Sequence, residues 1–489
     1  MNSYSLKMNT MLNTCRMLLS VLFPLVTFPY TSRIFLTEGS GQLNFASSVT
    51  TVFSIIASLG IYTYGVREGV KLRDDKEKFS KLAHELLLIN GLSTITAYGI
   101  FFICVNTIPS FVEHKVMLYI YSTQILFTAM GCDWVFGVYE EYTYITLRQV
   151  AAQIITIVAM FLFVHESKDI YIWAGILVAS AVGANVFNVI RALKYISFSR
   201  KYKYCLSIHV VPIMLLFATQ LASKVYNNLD TILLGMMATD HDMGVYSAAV
   251  KVNTILITFF MAMTPVFVPR IMDLIRSKDE KKYNAFIKKE LSLLFALAIP
   301  SCVGLEMLRK PLIVLLAGEA FFASADTMAI LVPVIFITSL SSVLYYNILV
   351  PISKESKVLL STVVAAFVNL AISVLLIPIL KENGAAVGSL IAESVGLGIS
   401  VYYCIKYKGI NKSCLPNIIP YIIGSAGIVV CCWLSNLILE KHLFLNLITA
   451  IGTSVLIYVF VLYLFHDPLF QEGIVIIHKA KLKLRRNSE

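Results

Sequence analysis

Fourteen runs of about twenty apolar residues follow one another along the chain, joined by short polar segments. A helix needs about 20 apolar residues to cross a bilayer core, so this pattern decides what the chain can fold into. The runs lie near 10–36, 41–65, 83–108, 116–137, 146–165, 170–191, 208–238, 244–269, 291–307, 328–350, 357–380, 384–405, 417–438 and 443–466. They are continuous rather than alternating, which fits helices and not the strands of a barrel. Composition closes the soluble alternative. Of 489 residues, 58% are hydrophobic and 14% charged, whereas soluble domains carry about 25% charged residues. The expected fold class is an all-α polytopic membrane protein with about fourteen transmembrane helices.

The net charge of +11 is a matter of topology rather than of nucleic-acid binding. With a cytoplasmic N-terminus, the inner segments hold about thirty of the forty Lys and Arg, and the outer ones about seven. Arg67, Lys71, Arg73, Lys76, Lys78 and Lys81 follow the second run, and Arg191, Lys194, Arg200, Lys201 and Lys203 follow the sixth. Such a bias places basic loops inside, so both termini are expected in the cytoplasm. The first run is broken by Asn13 and Arg16 and lacks a small-residue cleavage site, so it reads as a span and not as a signal peptide. No loop exceeds about 20 residues, which leaves no room for a soluble catalytic domain. The nine cysteines sit mostly in apolar runs without CxxC spacing, as small packing residues do. Neither a metal nor any other cofactor is expected.

The two halves echo each other. Phe45-Ala46-Ser47-Ser48-Val49 opens the second run and Tyr246-Ser247-Ala248-Ala249-Val250 the eighth, 201 residues later. Arg67 and Arg270 stand 203 apart, as do Arg73 and Arg276, and Glu85-Leu86 precedes Glu290-Leu291 by 205. Six runs separate the matches, an even number, so both halves enter the membrane in the same sense. Parallel repeats are related by an axis along the membrane normal. The expected domains are a six-helix bundle over 1–206, a second over 207–410, and two extra helices with a basic cytoplasmic tail over 411–489.

Ionisable groups inside spans are costly and are functional candidates by default. Here they are Arg16, Lys224, Asp230, Lys251 and Glu393, with Asp133 and Glu306 nearer the ends. Arg16 either snorkels to the cytoplasmic headgroups or contacts an anion. Lys224 lies too deep to snorkel easily, and Gln220, Asn227 and Asn228 share its helical face. It lines a cavity or makes a buried structural bond. Asp230 and Lys251 stand level across the hairpin of the seventh and eighth runs, so a salt bridge between them is expected, either as a static staple or as a pair that substrate opens. Glu393 makes an interhelical hydrogen bond or carries a proton. Arg73-Asp74-Asp75 and Glu140-Glu141 read as solvated or structural charges. No H-E-x-x-H or G-x-x-x-x-G-K-[ST] is present, so enzyme chemistry and direct ATP use are not expected.

The segment from Gln220 to Ile271 resembles the seventh and eighth spans of Wzx-type oligosaccharide flippases. So do Gly65 to Asn90, Asp133 to Gln149, and Leu316 to Phe336, followed by Asn347, Pro351, Lys354 and Gly384 to Gly388. The resemblance covers essentially the whole chain and points to the polysaccharide-transporter branch of the superfamily that also holds multidrug exporters and peptidoglycan-precursor flippases. It implies flipping of an undecaprenyl-diphosphate-linked oligosaccharide between leaflets of the bacterial inner membrane by alternating access, for O-antigen, capsule or exopolysaccharide assembly. It also implies a lipid-linked oligosaccharide and the bilayer as partners, with a polysaccharide polymerase and a chain-length regulator beside them, and no nucleic acid. Under this resemblance Arg16, Lys224 and Lys251 are the cations for the diphosphate, Asn227 and Asn228 accompany Lys224, and Asp230 and Glu393 are coupling or charge-pair residues. A multidrug exporter and a membrane polysaccharide-processing enzyme are the competing readings; the first bundle's few buried acids and the lack of a long outer loop weigh against them.

Overall fold

The computed structural model describes residues 3–183, 185–197, 202–407, 409–439 and 442–471, with the backbone alone for residues 3–21 and for Tyr142, Thr219 and Ser223. Among the described residues all regular structure is helical. In chain order the helices are α1 (Ser3–Ser58), α2 (Ile61–Leu72), α3 (Lys76–Thr107), α4 (Pro109–Glu113), α5 (Lys115–Met130), α6 (Asp133–Val138), α7 (Tyr142–Phe163), α8 (Ile170–Val182) and α9 (Asn185–Ala192). There follow α10 (Ser207–Met237), α11 (Asp240–Ser277), α12 (Glu280–Met307), α13 (Arg309–Ala317), α14 (Ser324–Val343), α15 (Glu355–Lys406), α16 (Ile419–Leu439) and α17 (Leu443–Leu464). A π-helical turn, Leu344–Leu349, continues α14.

Ten helices among the described residues are long and apolar enough to cross a membrane, or eleven when α10, bent by 44° between Ala222 and Lys224, counts as one. Two of the ten, Leu22–Leu72 and Glu355–Lys406, run to 51 and 52 residues and are broken inside. The breaks are at Leu36 (φ 55°, ψ −162°) and Lys381 (φ 51°, ψ −127°). Each is long enough for two crossings. The sixteen residues of α5 fall short of the length but match the expected fourth run. This arrangement is compatible with fourteen crossings. Side chains such as Ile95, Val211, Ile438 and Leu456 are more than two-thirds exposed, as expected where lipid is the solvent.

The chain divides into two compact units, residues 1–247 and 248–489. The division lies one hairpin beyond the repeat boundary expected near residue 206, because α10 and the head of α11 pack on α1. That approach is close. A Cβ at Gly41 would fall 2.1 Å from the Asp240 carbonyl oxygen, and one at Gly244 would fall 1.9 Å from that of Thr37. The rest of the first unit's core joins α2, α3 and α6 around Phe79, Leu86, Trp134 and Phe136.

Sequence dictates the helix starts. Asp75 caps α3 by accepting from the backbone N–H groups of Glu77 and Lys78, both at 3.1 Å. The 3.1 Å bond from Lys282 N to Asp279 starts α12 the same way, 204 residues on. An N-cap carboxylate satisfies donors the helix itself leaves open, and here it does so at two places 204 residues apart. In the second unit α12, α16 and α17 share a core that includes Tyr421, Ile428, Cys432 and Tyr458. The Tyr458 hydroxyl there donates to Ala296 O at 2.6 Å.

Candidate functional site

The polar face of α7 builds the site. Ile145, Arg148, Gln149, Ala152 and Gln153 recur at the three- and four-residue spacing of one helical face, and all five line a cavity of about 610 Å³. Leu147, Ile154, Ile155 and Leu162, on other faces of the same helix, are more than half exposed. In a bilayer this inverts the soluble pattern, with polar groups inward and apolar ones outward. Across the cavity stand Phe23 and Ser47 of α1, Tyr62 of α2, Tyr121 and Gln124 of α5, Asp133 of α6 and Ser180 of α8. Its volume falls within the about 300–1,000 Å³ typical of small-molecule sites.

One ion pair anchors it. Arg148 Nη1 donates to Asp133 Oδ1 at 3.1 Å and to Asn185 Oδ1 at 3.4 Å. Asn188 Nδ2 donates to the same Asp133 oxygen at 2.6 Å, and the Tyr144 hydroxyl donates to Asn188 Oδ1 at 3.0 Å. Asn185 in turn holds Phe127 O through Nδ2 at 2.9 Å. The guanidinium and carboxylate cancel in charge, so the cavity wall is polar without being strongly cationic. The amides of Gln124 and Gln149 make no hydrogen bond to other described residues, and Gln153 Oε1 is buried without a donor. Amides free to donate and accept beside aromatic faces suit hydroxyl-rich ligands.

Below the pair, charges gather at the membrane margin. Arg191 Nε donates to Glu141 Oε2 at 2.8 Å and its guanidinium lies 4.1 Å from the Tyr144 ring centroid. The Tyr195 hydroxyl donates to Glu141 as well, and its ring stacks on Tyr139 at 3.9 Å. Burial pushes the Glu141 carboxyl up, but the hydrogen bonds from Arg191 and Tyr195 outweigh it and hold the group below its ordinary range. Arg73 reaches Glu140 at 3.5 Å. The Glu140-Glu141 pair is thus structural, as the sequence suggests.

A second polar cluster ties α1 and α4 to the head of α11. His114 Nδ1 lies 2.7 Å from Ser110 O and Nε2 lies 2.8 Å from Asp240 Oδ1. A carbonyl and a carboxylate both accept, so both ring nitrogens donate and the imidazole is charged. Burial pushes its pKa down, yet the hydrogen bonds to Asp240 and Ser110 and the charge of Asp240 raise it overall. Gln42 Nε2 donates to Asp240 Oδ2 at 2.8 Å, and Thr37 Oγ1 lies 2.8 Å from His241 Nδ1.

Asp133, a span-end acid in the sequence, lines this cavity, whereas the other described candidates fall elsewhere. The Arg16 side chain lies outside the described residues. Lys224 is exposed and follows the bend in α10 directly. Asn227 is exposed too, and Asn228 donates to Lys224 O at 2.9 Å, four residues back on its own helix. Asp230 is buried and accepts from the Tyr246 hydroxyl at 2.9 Å. Lys251 and Glu393, both half-buried, belong to the second unit. Lys224, Asn227 and Asn228 stand close along one helix, and none of them lines the cavity beside Arg148. The signal for that cavity was the polar stripe within the run 146–165. Its pairing of Arg148 with Asp133 crosses a corner between helices that spacing along the chain does not reveal.

A model for polysaccharide biosynthesis proteins matches residues 6–275, more than half of the chain. A protein of Escherichia coli (strain K12) named for O-antigen transport is 24% identical over 351 residues, which cover 69% of this chain and 81% of that protein. One from Shigella dysenteriae with the same name is 21% identical over 361 residues, covering 71% and 87%. Among solved structures, the lipid II flippase MurJ in an inward closed conformation superposes with a TM-score of 0.72 at 15% identity, covering 94% of this chain and 99% of its own. An inward-facing multidrug resistance transporter of the MATE family gives a TM-score of 0.59 at 12% identity, covering 79% and 98%. These two likenesses show the fold. The family match makes the chain a member of the polysaccharide biosynthesis protein family.

Proposed function

We propose that this multi-pass membrane transporter carries an oligosaccharide linked to undecaprenyl diphosphate from the cytoplasmic to the outer leaflet by alternating access. The observation that carries this reading is the hydrogen-bonding cavity of about 610 Å³ held inside an apolar helical bundle. A glycan crossing bare hydrocarbon leaves its hydroxyls without partners, at several kcal/mol in total. A wall of unengaged amides offers those partners, while the lipid tail stays in the bilayer. The relatives named for O-antigen transport and the lipid II flippase fold support a transporter rather than an enzyme. Polysaccharide polymerase and a chain-length regulator are its expected neighbours in the membrane.

In this reading Arg16, Lys224 and Lys251 meet the diphosphate, with Asn227 and Asn228 beside Lys224, and Asp230 and Glu393 serve coupling or charge pairing. Lys224→Ala should abolish export of the glycan while the protein stays in the membrane; wild-type export would remove Lys224 from the substrate path. Exchanging the charges of Asp230 and Lys251 separates two roles. A staple tolerates the exchange and transports, whereas a substrate-binding Lys251 gives a folded protein that does not. The test of the function itself is glycan exposure on the outer face of cells lacking this chain. Lipid-linked oligosaccharide should accumulate inside, and undiminished surface glycan would refute the flippase reading.

A further inference from the structure

Among the described residues, the second unit buries a carboxyl that makes no ion pair. Glu290 of α12 is 3% exposed, and Asn347 of the π turn is fully buried. Both amide hydrogens of Asn347 are engaged, one on Glu290 Oε1 and one on Thr264 O at 3.1 Å. Two acceptors remain, Glu290 Oε2 and Asn347 Oδ1, both buried and neither with a donor. A buried acceptor left unmade carries its full desolvation penalty, and a charged one carries more.

The repeat provides a comparison within the same chain. Glu85, 205 residues earlier, is likewise 3% exposed. It accepts from Cys205 N at 2.8 Å, faces His209 Nε2 at 3.0 Å and has Lys81 at 3.9 Å. Its charge is answered. Glu290 makes no ion pair among the described residues. Titratable groups on its own helix and on the elements packed around it are engaged elsewhere. Tyr283 donates to Gly409 O at 3.1 Å, and Arg309 pairs with Glu306. Tyr421 holds Asp467 at 3.1 Å, Cys414 meets Asn284 at 3.3 Å, and Lys288 and Lys289 are exposed.

We propose that Glu290 is a proton-binding carboxyl whose loading and unloading accompanies transport. The proton sits on Oε2 and is donated to Asn347 Oδ1, so that acid and amide close a ring of two hydrogen bonds and both orphan acceptors are satisfied. On release the proton leaves as such, and the carboxylate is left to recruit water or new donors. A bare hard cation would require several more oxygens than these two. The π turn that presents Asn347 is a rare geometry concentrated at functional sites, and its return to α geometry is a ready second state. The driving ion lies beyond the function proposed above, and the site can be assayed without transport.

Infrared difference spectra of the purified full-length chain in detergent test it directly. Near neutral pH the wild type should show a protonated-carboxyl C=O band that Glu290→Gln lacks. Asn347→Ala, which removes the acceptor and keeps the acid, should retain the band and move it towards a free carboxyl. Absence of a Glu290-dependent band near neutral pH overturns the proposal, as does its disappearance on adding sodium at constant pH, which would assign the site to a metal cation. In cells, Glu290→Gln should reach the membrane at the wild-type level and lose export by about tenfold or more. Wild-type export by that variant overturns the transport role even if the band is present.

Discussion

Arg148 and Asp133 meet at 3.1 Å inside a bundle that is otherwise largely apolar. An unpaired charge in the middle of a membrane costs about 2.5–3.5 kcal/mol on insertion scales, and near the end of a span the cost is smaller. Asp133→Leu should therefore destabilise the protein by about 1–3 kcal/mol, since Arg148 would keep only the weaker contact to Asn185. Adding Arg148→Met should recover most of that loss in thermal melts, because the uncompensated charge goes with it. Export should stay low in the double variant if the pair orients the cavity wall. Asp133 stood out in the sequence as a span-end acid, while Arg148 lies fifteen residues on, at the head of the next apolar run. Their partnership was not legible, because that stretch and a corner between α6 and α7 separate them. The reverse holds for Lys224, Asn227 and Asn228. Their shared face was legible from spacing alone, but what that face meets depends on the bend in α10, which no proline marks.

At the level of elements, the hairpin of α10 and α11 is fastened to α1 and α4 by a charged histidine. Because folding raises the His114 pKa, its contribution is complete below the ordinary histidine value of about 6.5 and is lost as pH rises through the higher folded value. Hydrogen exchange of backbone amides in 240–247 should be protected at mildly acidic pH and lose extra protection above it. His114→Gln should show no such dependence beyond the intrinsic exchange chemistry. Gly244→Leu, with no room for a side chain against Thr37 O, should cost about 1–3 kcal/mol in thermal melts, the usual cost of overpacking. Helix existence and most helix ends were readable from the apolar runs and from the caps at Asp75 and Asp279. The two breaks lie where the runs ending near 36 and 380 stop, but their backbone geometry was not readable. Leu36 and Lys381 carry the chain through positive φ, although both side chains disfavour that conformation and neither position is glycine or proline. Pro24 and Pro29 lie inside α1 without ending it.

For the molecule as a whole, the placement of basic loops predicts which ends of the helices face the cytoplasm. A reporter fused at Lys78 should behave as cytoplasmic and one at Lys168 as external; Lys78 outside would refute the arrangement. The expected duplication rests on apolar runs and loop charges that recur some 200 residues apart, among them Glu85 and Glu290. What each half does with its buried carboxyl could not be read that way, since the partner residues come from distant runs. A mechanical consequence follows from α11. It is a rod of 38 residues, about 57 Å long at 1.5 Å per residue, whose head is pinned to α1 and whose prolines, Pro265 and Pro269, both lie in its far half. Each proline removes a rung of the hydrogen-bonded ladder and adds a clash with the preceding turn. Stiffness along the rod is therefore uneven, and a load applied to the pinned end is delivered as flexure near Thr264. Paired spin labels within the head should give a narrow distance distribution, and a pair straddling the prolines a broad one.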